Sequence, residues 1–395
     1  MKTIMNGSEN FIDPRITAED ILSRLPKMQK QNSLGLLVCD SEIDYETVAE
    51  IISQNVEFPV IGVTTYKVPQ SREKELSATF TVIEKDELNV SIAVSTSLFD
   101  DNSTLVEDTF DECVNNLESP AKMFIPLVAM IPGLTADRYM KKIFKLAGKI
   151  PVFGGMSTSN LLNTEAAVMV DGKTYKDSLI LVALGGDIDP IFSVGSSLTP
   201  MAAHSPTVTK SSEDTVMCVD DMTFCEYMSC LGIAPEDRQN GVDALMQYGP
   251  IPCRLTHKLE DDDGVAELRC ISYTNVGEGS ATFSSDMPVG TRISMGLIQF
   301  KDVEESYKKC IGQIKEEVAA AEHPEKYTTL LAIPCVARYF ALHGNNLEYI
   351  MDEESLPDGL ALSGFYGFLE VGPTMNNQGE IHNRSHNASI VMCAF

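Results

Sequence analysis

Short apolar runs alternate with amphipathic helical segments along the first half of the chain, and this alternation constrains the fold most. The run SLGLLVCD (33–40) predicts a buried strand, YETVAEIISQN (45–55) has apolar residues at a helical spacing, and FPVIGVTT (58–65) predicts the next strand. Further along, two strand-like runs surround Asp171 and Gly172, a pair typical of a tight hairpin turn. The pattern predicts an α/β (mixed α+β) fold in which mixed or antiparallel β-sheets pack against helices.

The length of 395 residues predicts two domains. Because the stretch 187–212 is rich in Pro, Ser and Thr and lacks a helical period, we place the boundary there. We expect an N-terminal helical extension at 1–30 with Thr17 as the helix cap, a first α/β domain at 31–195 and a second at 205–395. In the second domain, the pattern predicts an amphipathic helix at 302–321 and one strand over LALSGFYGFLEVG (360–372).

The charge of the chain excludes several classes of partner. Thirty basic residues stand against fifty-seven acidic ones, giving a formal net charge of −27. Such a field repels phosphate backbones and anionic lipid surfaces, so we expect no nucleic acid and no membrane among the partners. The N-terminus lacks the apolar core of a signal peptide, and the ten cysteines form no CxxC pair. We therefore expect a cytoplasmic protein with reduced thiols.

Motifs for common cofactors are absent from the sequence. It contains no GxxxxGK[ST] loop, no GxGxxG turn between a strand and a helix, no HExxH pair and no GxSxG elbow. His382 and His386 have a ligand-like spacing, but they stand in a polar turn without an obvious third ligand. The sequence thus predicts neither a cofactor nor a metal site.

Two charged residues stand in stretches that are apolar enough to be buried. Arg338 lies in IPCVARYF and Glu370 lies in GFYGFLEVGP. A buried charge without a partner costs several kcal/mol, so each needs a partner. One interpretation is a mutual ion pair that fixes two elements. The other is a site for a zwitterion, in which Arg338 binds the carboxylate of a ligand and Glu370 binds its ammonium group.

Other polar and small residues accompany this pair. Cys335 precedes a predicted helical turn, and it is either a small buried side chain or a nucleophile with His386 as its base and Glu370 or Asn387 orienting that base. Tyr366 is either a core residue or a pocket wall. Gly154 and Gly155 form either a tight turn or a place where the backbone approaches a ligand closely.

The order of these motifs resembles the FIST sensory domains over most of the chain, from about Leu34 onward. VIGVTT, PVFGGMSTSN and the Asp171–Gly172 hairpin resemble features of the first part of that family, and PTVTKSSEDTVMCVDDMTFCEYMSCLGI resembles the opening of the second. PCVARYF is similar to its C-x-x-R motif, Glu348 to its downstream glutamate, GFYGFLEVG to its G-x-x-x-G-E motif and HNAS to its H-N-x-T motif. Leu369 replaces a glycine of the pattern, and Ser389 replaces a threonine.

The resemblance implies an intracellular sensory protein that binds a small molecule, with amino acids as the proposed ligand class. It implies ligand contacts at Cys335, Arg338, Tyr366, Glu370, His386, Asn387, Gly154 and Gly155. No output domain is recognised in the sequence, so we expect the state of the protein to pass to a downstream signalling protein. Two alternatives stay open at this point: a cysteine-dependent hydrolase or transferase that uses Cys335 and His386, and a protein-recognition module without a small ligand.

Overall fold

The structure is a computed structural model. It describes residues 3–8, 13–25, 32–69, 76–100, 102–131, 134, 136–160, 165–196, 198–201, 204–234, 252–256, 267–342, 356, 359–375 and 379–395. Within these ranges, no helix has the length and hydropathy needed to cross a membrane. The α/β architecture expected from the sequence is confirmed, since helices pack against several mixed and antiparallel sheets.

Two six-stranded sheets dominate the first half of the chain, and strands are numbered along the chain. The order of the first sheet is β1 (Thr3–Ser8), β4 (Leu76–Glu84), β2 (Ser33–Asp40), β3 (Val60–Thr65), β8 (Val168–Val170) and β9 (Lys173–Tyr175). The order of the second is β23 (Ile381–His386), β22 (Leu369–Met375), β7 (Gly154–Met156), β6 (Ala121–Val128), β10 (Ser178–Gly186) and β5 (Leu88–Ser97).

Two further sheets complete the fold. The third sheet consists of β11 (Ile191–Gly195), β24 (Ile390–Ala394), β20 (Thr329–Pro334) and β21 (Ala361–Gly364), in that order. The fourth is antiparallel, in the order β12 (Thr199–Pro200), β19 (Arg292–Leu297), β16 (Pro252–Thr256), β17 (Glu267–Asn275), β18 (Ser280–Phe283), β14 (Thr215–Val219) and β13 (Val208–Ser212), with β15 (Met222–Thr223) paired to β14.

The described helices pack against the sheets. They are α1 (Pro14–Ser23), α2 (Tyr45–Gln54), α3 (Leu105–Asn115), α4 (Asp137–Ala147), α5 (Phe224–Cys230), α6 (Phe300–Ala320) and α7 (Val336–Ala341). The helix predicted at 302–321 is α6, and its stripe from Val303 to Val318 is buried. Helix α1 starts earlier than predicted, because Asp13, not Thr17, caps it by accepting from the N–H groups of Arg15 and Ile16.

The first three sheets share one apolar core. It joins Leu36 and Ile61 of the first sheet to Leu127 of the second and to Ile333 and Val391 of the third.

Each of these sheets contains one parallel pair of strands: β2 with β3, β6 with β7, and β20 with β21. Ligand sites of open α/β sheets tend to lie beyond the carboxyl ends of such strands. The ends of these pairs are therefore the first place to look for a site.

Two sequence predictions of single strands are wrong. The chain over 360–372 forms two strands in different sheets, β21 and β22, and residues 365–368 cross between them. Gly364 permits this departure, since its φ of 151° and its contact with the backbone of Ala332 leave no room for a Cβ atom. Similarly, the run after Asp171 and Gly172 divides into β9 and β10. The hairpin turn itself is confirmed, with φ of 48° and 80° at the two residues.

Strand pairing crosses between the two halves of the chain. The strands β22 and β23 extend the second sheet, whose other strands all precede residue 190. In return, β11 from the first half pairs with the last strand, β24. The proposed boundary region 187–212 thus contains strands, and the exact division into domains stays a prediction.

Candidate functional site

The candidate site lies where β20 ends and α7 begins. The N–H of Cys335 donates to the carbonyl oxygen of Ser389 at 2.8 Å, and the N–H of Val336 donates to that of Gly367 at 2.8 Å. Three segments distant in sequence therefore meet here: the start of α7, the crossing chain at 365–368 and the turn at 387–389. This meeting brings most of the predicted residues together.

Arg338 is buried, and four hydrogen bonds to protein groups engage its guanidinium. One terminal nitrogen donates to the carbonyl oxygens of Gly195 (3.2 Å) and Ala388 (3.3 Å). The other donates to the carbonyl oxygen of Val303 (3.3 Å) and to the hydroxyl of Ser306. Arg338 thus joins α7 to the end of β11, to α6 and to the turn before β24.

One of the two interpretations, a mutual ion pair between Arg338 and Glu370, is wrong. Among the described residues, no ion pair joins the two side chains, although both are buried. The physical reason is that backbone carbonyls surround the guanidinium, and these satisfy its donors without a second charge. Ala388 supplies one of those carbonyl oxygens. Its φ of 55° lies in the left-handed region, so the turn that positions this oxygen requires a strained backbone conformation.

Glu370 is completely buried, and only one of its oxygens has a partner. Its Oε2 accepts from the N–H of Ser389 at 3.3 Å and from the hydroxyl of Ser389 at 2.9 Å. Its Oε1 is buried without a hydrogen-bond partner in the described structure. Burial raises the pKa of the Glu370 carboxyl to about 8, and the hydrogen bonds from Ser389, with the thiol of Cys335 nearby, offset this only in part. At neutral pH the carboxyl is therefore mostly protonated.

The strand neighbours of Glu370 are two of the predicted site residues. In the register of the second sheet, Glu370 lies opposite Gly155 on one side and opposite His386 on the other. A Cβ atom at Gly155 would overlap the carbonyl oxygen of Leu369, and one at Gly154 would overlap that of Pro126. The two glycines thus allow close packing of β7 against its neighbouring strands.

Cys335 and His386 are both close to Glu370, but they do not form a catalytic pair. Burial raises the pKa of the Cys335 thiol well above its ordinary value, and the charge of Glu370 raises it further. His386 donates from Nε2 to the carbonyl oxygen of Gly372 at 3.1 Å, and burial lowers its pKa to about 4. No hydrogen bond between the two side chains is present among the described residues. This arrangement keeps the thiol protonated and does not activate it.

Asn387 and Tyr366 are held by neighbouring segments. The side-chain amide of Asn387 donates to the hydroxyl of Ser285 at 3.4 Å. Tyr366 is buried, its N–H donates to the hydroxyl of Thr65 at 2.9 Å, and its carbonyl accepts from the hydroxyl of Thr158 at 2.7 Å. Since Thr65 ends β3 and Thr158 follows β7, the carboxyl ends of the parallel strands meet around Tyr366.

Sequence reasoning missed Arg269, a buried residue of β17. Its guanidinium pairs with Glu267 and donates to the carbonyl oxygen of Leu268 at 2.8 Å, while its Nε is buried without a partner in the described structure. Its charge also helps to lower the pKa of His386. The available signal was a charge inside the apolar run ELRCISYT. Glu348 lies outside the described residues.

Comparison with known families agrees with the resemblance seen in the sequence. The FIST N domain matches residues 33–222, and the FIST C domain matches residues 225–373. The second match includes Cys335, Arg338, Tyr366 and Glu370 and ends before the HNAS turn. No curated protein matches the chain. Because the two matches together cover most of the sequence, the chain belongs to the FIST family, whose domains are sensory domains of signal transduction.

Proposed function

We propose that this protein is an intracellular sensory protein that binds a small zwitterionic metabolite, an amino acid or a close relative, and passes its state to a partner protein. The observation that carries the proposal is the carboxyl of Glu370, which is fully buried with its Oε1 unpartnered among the described residues. A buried polar atom without a partner costs about 1–3 kcal/mol, so an arriving donor gains that energy. The free cysteines of the described chain agree with an intracellular setting.

Glu370 is suited to bind an ammonium group. Before a ligand binds, burial keeps the carboxyl largely neutral at pH 7, since its pKa is about 8. A cation placed at Oε1 favours the ionised form and lowers this pKa. Binding of an ammonium group at neutral pH then releases close to one proton from Glu370. A ligand without a positive charge gains only a hydrogen bond from the neutral acid.

The carboxylate of the ligand needs a donor with free N–H groups. Arg338 was the expected donor, but four hydrogen bonds to protein groups engage its terminal nitrogens. Arg269 retains a buried Nε without a partner in the described structure, and its charge acts on His386 beside Glu370. We assign the carboxylate contact to Arg269 and give Arg338 a positioning role at the turn of Ala388.

A thermal-shift series tests this assignment. Amino acids would be compared with the matching amines and carboxylic acids, using wild-type protein, Glu370→Gln and a control, Glu19→Gln, whose side chain is exposed. We expect one or more amino acids to raise Tm in the wild type and in the control but not in Glu370→Gln. The matching carboxylic acid, which lacks the ammonium group, should have little effect.

Calorimetry in two buffers of different ionisation enthalpy would then count the released protons. At pH 7, release of about 0.9 proton per ligand is expected for a group with a pKa near 8. Absence of any stabilising amino acid would contradict the proposed ligand class. Stabilisation that persists in Glu370→Gln would place the ligand elsewhere in the protein.

A further inference from the structure

Among the described strands, β11 forms one edge of the third sheet. On its inner side β11 pairs with β24 over Ile191–Gly195, and no described strand pairs with its outer side. An edge strand presents a row of backbone N–H and C=O groups to any extended chain that arrives. Residues 191–194 of β11 offer a site for about one further short strand, whereas the carbonyl oxygen of Gly195 already accepts from Arg338.

A groove of about 490 Å³ runs along this open edge. One wall is the face of α6 that carries Lys309, Gln313 and Glu317, and the other is the β22–β23 hairpin with Met375 and Ile381. The space has the size of a ligand site, but its floor is a strand edge and its walls belong to two layers. This shape suits an extended peptide better than a compact molecule.

The residues of the groove are apolar and polar in about equal measure, and its apolar residues are partly accessible. Phe192 and Ile381 are half-buried, and the side chain of Met375 is 58% exposed. An added strand would direct alternate side chains toward α6 and toward the hairpin, because successive side chains of a strand face opposite sides. The groove therefore favours a segment with apolar residues at alternate positions.

The charges in the groove differ between its two ends. The hydroxyl of Ser193 donates to the side-chain amide of Gln313 at 2.9 Å, and Gly195 packs against Cys310, so α6 runs opposite to β11. Lys309 consequently lies at the Gly195 end and Glu317 lies at the Ile191 end. Asp189 is also at the Ile191 end, where its backbone carbonyl accepts from the hydroxyl of Tyr327 at 2.9 Å.

Two of these charges have no ion-pair partner in the described structure. Lys309 is exposed and lies in no such pair, and the exposed Asp189 also lacks one. Lys122 also lines the groove and adds a second positive charge to it. The clearest complement is thus an acidic residue of the arriving segment placed opposite Lys309, at the Gly195 end.

From this arrangement we propose that the open edge of β11 is a docking site for an extended segment of a partner protein. The segment adds to the third sheet as a further strand, has apolar residues at alternate positions and carries an acidic residue opposite Lys309. A second copy of this chain fits less well, because the edge is recessed between α6 and the hairpin. This docking does not depend on the proposed ligand.

Fluorescence anisotropy with defined peptides tests the docking. Two fluorescein-labelled heptapeptides would alternate Val and Thr, one with Glu first and Lys last and the other in reverse order, since the partner strand can run either way. We expect at least one to bind saturably. A version with Pro at alternate positions should not bind, because it lacks the N–H groups that pair with an edge.

Protein variants locate the binding. Lys309→Glu should weaken the peptide that binds by about fivefold or more, whereas Lys301→Glu, an exposed change on the same helix outside the groove, should not. Hydrogen exchange of the wild type with bound peptide should show slower exchange of the amides at 191–195. This second measurement holds even if Lys309→Glu fails to fold.

Four outcomes would overturn the proposal. The first is that neither peptide binds, and the second is that the proline version binds equally well. The third is a concentration-dependent dimer in light scattering that Lys309→Glu dissociates, which would make a second copy the occupant. A peptide that binds without protecting 191–195 also counts against the β11 edge.

Discussion

The guanidinium of Arg338 donates to the carbonyl oxygen of Gly195, a residue 143 positions earlier in the chain. Through this bond and those to Val303 and Ser306, one buried side chain holds the end of β11 against α6. These two elements are also the floor and one wall of the groove described above. The candidate site and the groove therefore share a structural support.

Arg338→Met should destabilise the protein by several kcal/mol. The change leaves buried carbonyl oxygens of Gly195, Ala388 and Val303 without a donor, and each such loss costs about 1–3 kcal/mol. Denaturant unfolding would measure this, with the exposed Arg15→Met as the control. Since Arg338 and Glu370 form no ion pair, adding Glu370→Gln should not restore the lost stability. A double-mutant cycle with a coupling well above about 0.5 kcal/mol would contradict this.

Glu370→Gln should remove a pH-dependent part of the free energy of unfolding. The folded-state pKa of Glu370 is about 8 and its ordinary value is 4.5, so the unfolded chain loses its proton first as the pH rises. Stability due to this group therefore falls between about pH 4.5 and 8, by up to about 1.4 kcal/mol per pH unit, and then levels off.

Denaturant unfolding at several pH values in this window would measure the difference between Glu370→Gln and wild type. We expect the variant to gain stability relative to wild type as the pH rises toward 8. Glu19→Gln should show no such trend relative to wild type. A difference that stays constant with pH would mean that Glu370 is ionised in the folded protein.

His386→Gln should remove a second pH-dependent part of the free energy of unfolding. This part lies at acid pH and has the opposite sign to that of Glu370. The pKa of His386 falls from 6.5 to about 4 in the folded state, so the unfolded chain takes up a proton first as the pH falls. Stability due to this residue is present above pH 6.5 and is lost progressively down to about pH 4. Unfolding measured at pH 4.5 and 7 should show a smaller acid loss in His386→Gln than in wild type. The exposed His323→Gln serves as the control, and an equal acid loss in all three proteins would speak against a buried neutral His386.

Cys335 should resist alkylation in the native protein. Its thiol is buried and its pKa lies well above the ordinary value, whereas Cys230 is exposed. Iodoacetamide at neutral pH followed by mass spectrometry should label Cys230 within minutes and Cys335 only after unfolding. Rapid labelling of Cys335 would instead support the cysteine-enzyme alternative.

Gly155→Ala should prevent or severely weaken folding, because its Cβ would overlap the carbonyl oxygen of Leu369 in the neighbouring strand. Gly312→Ala is the matched control. It lies within α6 with open space around it, and it should stabilise the protein by up to about 1 kcal/mol. Thermal unfolding measures both changes. A well-folded Gly155→Ala variant would show that β7 and β22 can separate.

The sequence by itself determined where most helices and strands form. Local periodicity fixes these elements, as in the strand at 33–40 and in α6, because each buries one face or the whole of a short run. The order of the motifs around Cys335, Arg338 and Glu370 also indicates the family. It likewise predicted that these residues cluster with His386 and Asn387.

Only the tertiary structure decided which sheet each strand joins and what each buried charge contacts. The chain at 360–372 reads as one apolar strand, yet it serves two sheets, since pairing depends on strands far away in sequence. The partners of Arg338 are mostly backbone carbonyls, which every residue carries and no sequence pattern distinguishes. The pKa of Glu370 likewise depends on burial by distant segments, because desolvation is a property of the packed interior and not of the residue.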